Sequence, residues 1–423
     1  MRSNRRRRLD PYCLDVVDDV PPAGRQPRRV TPAQVAACAT VVALLFVAGR
    51  LAMHDGDPTA FVHAGAVFAD RGSVPDGFDV DDDLGYDGQF SYRLARSPWD
   101  FAERVDGIRF DRPAYRHQRI TYPALAWAAA LGGRTPAVPW TLIAVNVLAI
   151  GAIGGLGAAA ARDLGRSPWY GLAFAAWPGL TVALARDLNE VVEAALLLAA
   201  VLALRRERFV ATAVLLSAAV LARETALVLA AACIGAAALG VLPRPRWLGS
   251  FAVTRRPLPY ALVGTATFAV YGAWQLILGS RWDEPGGGSG ETADFFTIPL
   301  TRLVGQLVDF VTNADTVGLY QLVQLVLVVV ACGLCVGALA DRDAGTPVER
   351  LALVAATVAV LSLPTWSRAV VYLRYPDDLI VIGLVVLLAA KPERVAESIR
   401  ARTAGMAIAV LWASTAFTWI QID

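Results

Sequence analysis

Histidines, carboxylates and arginines crowd one stretch of this chain. His54 to Arg119 holds all three histidines (His54, His63 and His117), thirteen carboxylates and eight arginines. A carboxylate can take a proton from a hydroxyl, and an arginine fork can hold a phosphate or a second carboxylate. The residues fall into short groups: His54-Asp55-Gly56-Asp57, Gly85-Tyr86-Asp87-Gly88-Gln89-Phe90 and Tyr115-Arg116-His117-Gln118-Arg119. Similar groups recur further on, as Arg186-Asp187-Leu188-Asn189-Glu190 with Glu193 a turn later, Arg223-Glu224, and Arg281-Trp282-Asp283-Glu284. The last is Ser367-Arg368, followed by Tyr372-Leu373-Arg374-Tyr375-Pro376-Asp377-Asp378.

Other motifs carry less. The acidic run Asp79-Val80-Asp81-Asp82-Asp83 lacks the glycine and closing glutamate of an EF-hand loop and reads as a solvated turn. The histidine spacings match no standard ligand signature, so a divalent metal stays an open possibility. Cys332 and Cys335 spell C-x-x-C inside an apolar run and read as packing residues. Gly151, Gly154, Gly155 and Gly157 are also inside an apolar run, without a preceding strand. Close helix packing explains them better than a nucleotide loop does.

The elements that must position these groups are membrane helices. Hydrophobic residues make up 56% of the 423 and mean hydropathy is +0.48. The windows 136–161, 167–185, 225–243, 257–280, 316–340 and 403–422 are each free of charge. A bilayer needs roughly 20 apolar residues per helix, and unpaired backbone amides in lipid force the helical state. The pattern predicts an all-α polytopic protein with about eleven transmembrane helices. Their approximate ranges are 33–53, 137–160, 168–186, 189–204, 209–224, 226–242, 258–279, 318–340, 350–365, 378–390 and 404–421. Residues 1–31 are basic, rich in proline and arginine, and read as a disordered cytoplasmic tail. Residues 32–423 form one membrane domain, with 54–136 as its first extracytoplasmic loop. None of the five cysteines falls in an outer loop, so no disulfide framework is expected. A net charge of +2 and the motifs present point to no nucleic-acid partner.

One short segment decides the topology. Ile120–Leu131 is apolar but only about 18 Å long as a helix, too short to cross. If it lies in the interface, the cytoplasmic segments carry 23 Arg and Lys against 11 Asp and Glu, and the outer ones 16 against 26. The positive-inside rule favours that arrangement, with the amino terminus inside and the carboxyl terminus outside. His117 and Arg119 would then face a cavity on the outer side. All the charged groups near membrane depth gather on that face, and acids with arginines there suit an anionic lipid headgroup.

The ensemble from about Ala33 to Leu242 resembles the GT-C glycosyltransferases, which use polyprenyl-phosphate sugars, including the protein O-mannosyltransferases and the aminoarabinose transferases. The resemblance rests on a first span and an outer loop opening with acid. It continues in the proline-bearing His117-Gln118-Arg119-Ile120-Thr121-Tyr122-Pro123 and a cytoplasmic Ala161-Arg162-Asp163-Leu164-Gly165-Arg166 turn. Arg186 followed by Glu190, and a basic residue closing the fifth span, complete it. Two features depart from the family: Arg223-Glu224-Thr225 stands where many relatives carry Lys-Gly, and no Asp-Glu pair opens the loop.

The resemblance implies a transferase that moves a sugar from a polyprenyl-phosphate donor to a glycan, lipid or protein acceptor of the cell envelope, with inversion. It makes Asp57 the first-loop catalytic acid, with Asp55 next and Glu190 the second acid; as an alternative, Asp57 caps a helix over Pro58–Phe68. Arg223, Arg368, Arg374 and Arg119 become candidate donor-phosphate ligands. Tyr86, Asp87, Gln89, His117, Gln118, Asp187 and Glu224 would line the sugar or acceptor pocket. A transporter or flippase of lipid-linked saccharide is the competing reading. It would be expected to show inverted repeats and helices broken within the membrane, and the sequence displays neither.

Overall fold

Thr31 starts the first helix for reasons visible in the sequence. Its hydroxyl accepts from the Gln34 amide, and the Gln34 side chain reaches back to the Thr31 amide at 2.8 Å, with proline in the first helical turn. The computed structural model describes residues 30–241, 256–282, 298–312, 316–363, 366, 369–391 and 394–421. The tail expected over 1–31 lies outside these residues except for its last two, and Arg368 lies outside them too.

After α1 (Pro32–Met53) the chain enters the long polar connection, which is folded. It contains a 3-10 turn (Pro58–Phe61), the parallel pair β1 (Ala64–Gly65) and β2 (Val80–Asp81), and α2 (Gly88–Arg96). The hairpin β3 (Arg104–Val105) and β4 (Ile108–Arg109) follows, turning through Asp106 and Gly107 with positive φ at both. Then come α3 (Pro113–His117) and α4 (Thr121–Ala129). Val62, Ala64, Tyr92, Ile108, Tyr122 and Leu142 form a small buried core beneath this layer. At nine residues α4 is about 14 Å long, far short of a roughly 30 Å bilayer core.

The remaining helices are α5 (Val138–Asp163), α6 (Gly171–Ala175), α7 (Pro178–Ala185), α8 (Glu190–Arg205), α9 (Phe209–Ala222), α10 (Leu227–Val241) and α11 (Pro257–Trp282). They continue as α12 (Thr301–Thr312), α13 (Thr316–Gly337), α14 (Pro347–Leu361), α15 (Ala369–Arg374), α16 (Asp377–Ala389) and α17 (Val395–Gln421). The structure is 75% helical, and five helices among the described residues are long and apolar enough to cross a membrane. They are α1, α5 with its leading turn, α11, α13 and α17. The protein is an all-α membrane protein.

The expected span 168–186 is broken. It comes as a 3-10 turn (Pro168–Tyr170), then α6, then α7 beginning at Pro178. Proline lacks the amide hydrogen that would continue α6, and its ring disfavours a helical residue before it. The glycine-rich run of α5 does serve close packing: a Cβ at Gly154 would stand 2.8 Å from the Ala39 Cβ of α1. The described cysteines Cys38, Cys233, Cys332 and Cys335 are free thiols, and Cys335 is buried against Gly383. At the far end of α8 from Glu190, Arg205 holds Glu349, at the start of α14, at 2.7 and 2.8 Å.

Candidate functional site

Glu190 stands in the first turn of α8, where the helix dipole favours a carboxylate, yet it is almost wholly buried. An unpaired charge there would cost several kcal/mol, so the fold must bring cations to it. Two arrive from distant sequence. Arg374, the last residue of α15, donates to Glu190 Oε1 through Nε at 3.1 Å and also through Nη2. Arg223, where the chain leaves α9 in an extended conformation, sets its Nε 4.0 Å from the same oxygen. Its Nη1 lies 3.7 Å from Asp377 Oδ2, and the other oxygen of Asp377 accepts the Trp177 indole N–H at 2.6 Å. Tyr375 and Pro376 separate Arg374 from Asp377, so one short turn supplies both a cation and an anion. Glu193 and Asp378 are buried beside Arg223.

The first-loop residues close the cluster from the other side. Arg374 Nη1 donates to the Tyr86 hydroxyl at 2.6 Å, and Nη2 lies 3.9 Å from Asp87 Oδ2. The other Asp87 oxygen is 2.9 Å from Arg116 Nη1, and Arg116 is held by Asp111 through two bonds of 2.7 Å. Burial alone would raise the Asp111 carboxyl. The bonds and charge of Arg116 outweigh it and hold Asp111 below the usual carboxylate range. Arg119 grips both oxygens of Glu224 at 2.7 and 3.1 Å and donates to the Tyr115 hydroxyl at 2.7 Å. Charge therefore alternates along Asp111, Arg116, Asp87, Arg374, Glu190, Arg223 and Asp377. Solvent reaches this chain at Asp87, whose side chain is 32% exposed, whereas that of Glu190 is 2% exposed.

The structure thus gathers Glu190, Arg223, Arg374, Tyr86 and Asp87 in one cluster, with the Arg119–Glu224 pair adjoining it; the Arg119 and Glu190 charges act on each other. Other expected site residues are engaged elsewhere. Asp57 caps the 3-10 turn, accepting from the Thr59 amide at 2.8 Å and hydroxyl at 2.7 Å, and that turn ends at Phe61 rather than Phe68. Asp55 is exposed, with positive φ. Gln89 ties loop backbone, donating to the Leu84 carbonyl at 3.0 Å and accepting from the Gly65 amide at 3.3 Å. Asp187 accepts from the Tyr122 hydroxyl at 3.4 Å, in a separate pocket with Asn146. Gln118 accepts from Tyr271 at 3.2 Å and Gln275 at 2.9 Å, both on α11.

His117 does not face the cluster. Its ring stacks on Phe101 at 4.6 Å between centroids, amid Phe110, Trp274 and Trp282, and Nε2 bonds the Pro98 carbonyl at 2.8 Å. Burial pulls its imidazole down to about 4, so it is neutral near pH 7. Arg116, expected to shape the pocket with His117, Gln118 and Arg119, does join the cluster. Three residues central to the cluster were absent from the expected site: Tyr115, Asp377 and Trp177. The first two lie in the recurring charged groups, which was a usable signal. Trp177, inside an apolar run, carried none.

Fold and site together define an all-α membrane protein with a largely buried arginine–carboxylate cluster at its helix ends. No protein-family model, curated protein or solved structure matches this chain.

Proposed function

We propose that the protein is a GT-C-like glycosyltransferase, taking a sugar from a polyprenyl phosphate on the extracytoplasmic face of the cell membrane. The observation that carries this reading is Asp87. This solvent-reached carboxylate is shared between Arg116 and Arg374, beside the buried Glu190. In this reading an acceptor hydroxyl and a phosphate leaving group would meet at such a group.

In a single displacement the acceptor O–H gives its proton to a first-loop carboxylate and its oxygen bonds the anomeric carbon. The bond from that carbon to the phosphate oxygen breaks, leaving the electron pair on the lipid phosphate and inverting the centre. Asp87 is our candidate base by its contact with the arginines, with Asp57 the alternative from the resemblance. Arg374, Arg116 and Arg119 are candidates to meet the departing phosphate. Removing one such donor typically costs about 10²–10³ in rate. Glu190 holds Arg374, Asp111 holds Arg116 and Glu224 holds Arg119, so those charges need no reorganisation during reaction.

The reading includes about eleven crossings. To the five long helices it adds the shorter α8, α9, α10, α14 and α16 and the broken pair α6–α7. With the basic segments inside, the cluster falls on the outer side. The test is direct: incubate the detergent-solubilised protein with polyprenyl-phosphate sugars and follow release of free polyprenyl phosphate. Release that requires Asp87 supports the reading. No release with any donor, alongside specific lipid binding, overturns it in favour of transport.

A further inference from the structure

We propose that His63, Asp81 and Asp83 form a divalent-cation site, distinct from the arginine–carboxylate cluster, that takes a first-row ion such as Mn²⁺. Donor atoms from the three side chains lie within 4.8 Å of one another. His63 Nε2 is 3.2 Å from Asp83 Oδ2, and Nδ1 is 3.7 Å from Asp81 Oδ2. Six-coordinate ligands at about 2.1 Å from an ion stand roughly 3 Å from their neighbours. One ring nitrogen serves one ion, so closing draws one carboxylate across to the other's side of the imidazole; both are free to swing, being 47% and 55% exposed.

The fold brings these donors together from distant sequence. β1 pairs with β2 so that Gly65 faces Asp81, which draws the acidic run back to His63. Two of the surrounding arginines are committed elsewhere. Arg71 bonds Asp82 at 2.6 Å, and Arg104 pairs with Asp70 at 3.4 Å. Among the described residues no arginine is within salt-bridge distance of Asp81 or Asp83. The Arg186 charge acts on both His63 and Asp83, so with a neutral imidazole two carboxylates converge against one nearby cation. One imidazole nitrogen with carboxylate oxygens suits Mn²⁺, Fe²⁺ or Zn²⁺, whereas calcium favours an all-oxygen cage.

An ion there would act on the turn that presents Tyr86 and Asp87. The His63 carbonyl accepts from the Tyr86 amide at 2.8 Å, and Asp83 Oδ1 accepts from the Gly85 amide at 2.7 Å. Holding His63 and Asp83 together fixes both sides of that turn. The role is one of position, outside the chemical step.

The experiment uses the full-length protein in detergent, stripped with chelator and titrated with Mn²⁺ by electron paramagnetic resonance. One saturable site is expected, weakened roughly tenfold or more in His63→Ala, Asp81→Asn and Asp83→Asn, and unchanged in Asp79→Asn. Mn²⁺ should also slow amide hydrogen exchange over residues 63–89 in the native protein and leave it unchanged in Asp81→Asn, an exposed near-isosteric change compatible with folding. Absence of saturable binding would overturn the proposal and leave an ordinary His–Asp ion triad. Binding that survives His63→Ala, or is lost equally in Asp79→Asn, would overturn it as well. Because the probe is the metal alone, the result is independent of whether any sugar is transferred.

Discussion

Arg374 and Tyr86 stand 288 positions apart in sequence, and the Arg374 guanidinium donates to the Tyr86 hydroxyl at 2.6 Å. The same guanidinium holds Glu190. One side chain thereby locks the first-loop layer, the start of α8 and the end of α15 together.

That bond gives Arg374 a part in stability as well as in the proposed reaction. Arg374→Gln leaves Glu190 buried with Arg223 as its remaining close cation, and removing one member of a buried pair costs about 3–5 kcal/mol. Adding Glu190→Gln should restore part of the lost melting temperature but none of the transfer. Full recovery of both would separate the pair from the proposed reaction.

Asp87→Asn should lower transfer by about 10²–10⁴, the range for loss of a general base. Asp57→Asn keeps an oxygen able to cap the Pro58–Phe61 turn, so fold and transfer should both persist. Loss of transfer in Asp57→Asn with an unchanged melting temperature would move the base to Asp57.

His117 should make stability depend on acid. Its folded imidazole lies at about 4, against 6.5 in the unfolded chain. Below 6.5 the unfolded state binds the extra proton, so stability is complete above that value and falls as pH drops towards 4. The full difference is about 3 kcal/mol at 1.36 kcal/mol per unit. Melts in detergent between pH 7 and 4 should show this decline, and it should be shallower in His117→Gln. Equal slopes would assign the acid sensitivity to other groups.

Packing between α1 and α5 should tolerate no side chain at Gly154. Gly154→Val forces a methyl-bearing carbon to within 2.8 Å of the Ala39 Cβ, and overpacking costs about 1–3 kcal/mol. Gly272→Ala, where a Cβ meets nothing within 4 Å, is the control and should melt like the native protein.

Topology is checked by labelling single cysteines in a cysteine-free background. Arg134→Cys, exposed in the turn after α4, should react with an impermeant thiol reagent applied outside, and Arg206→Cys, exposed after α8, should not. The reverse pattern would place the cluster on the cytoplasmic side and remove the basis of the transferase reading.

The apolar runs determined the class of this protein without any tertiary information. A charge-free run of twenty or so residues has one stable state in lipid, because its amides must bond within the segment. Helix starts were equally legible where a local cap sets them, as at Thr31. The shortness of Ile120–Leu131 was plain as well, and α4 is short. What the charged groups do was decided by the tertiary structure. Glu190 meets Arg374 across 184 positions and Arg119 meets Glu224 across 105, separations on which local patterns are silent. Sequence adjacency misled at His117, whose neighbours Arg116 and Arg119 turn to carboxylates while its own ring enters an aromatic box. On so short a helical turn successive side chains point in different directions. Which of them reaches the acids depends on where α2, α8, α9, α11 and α15 come to rest, and burial then forces each charge to pair with whatever the packing brings.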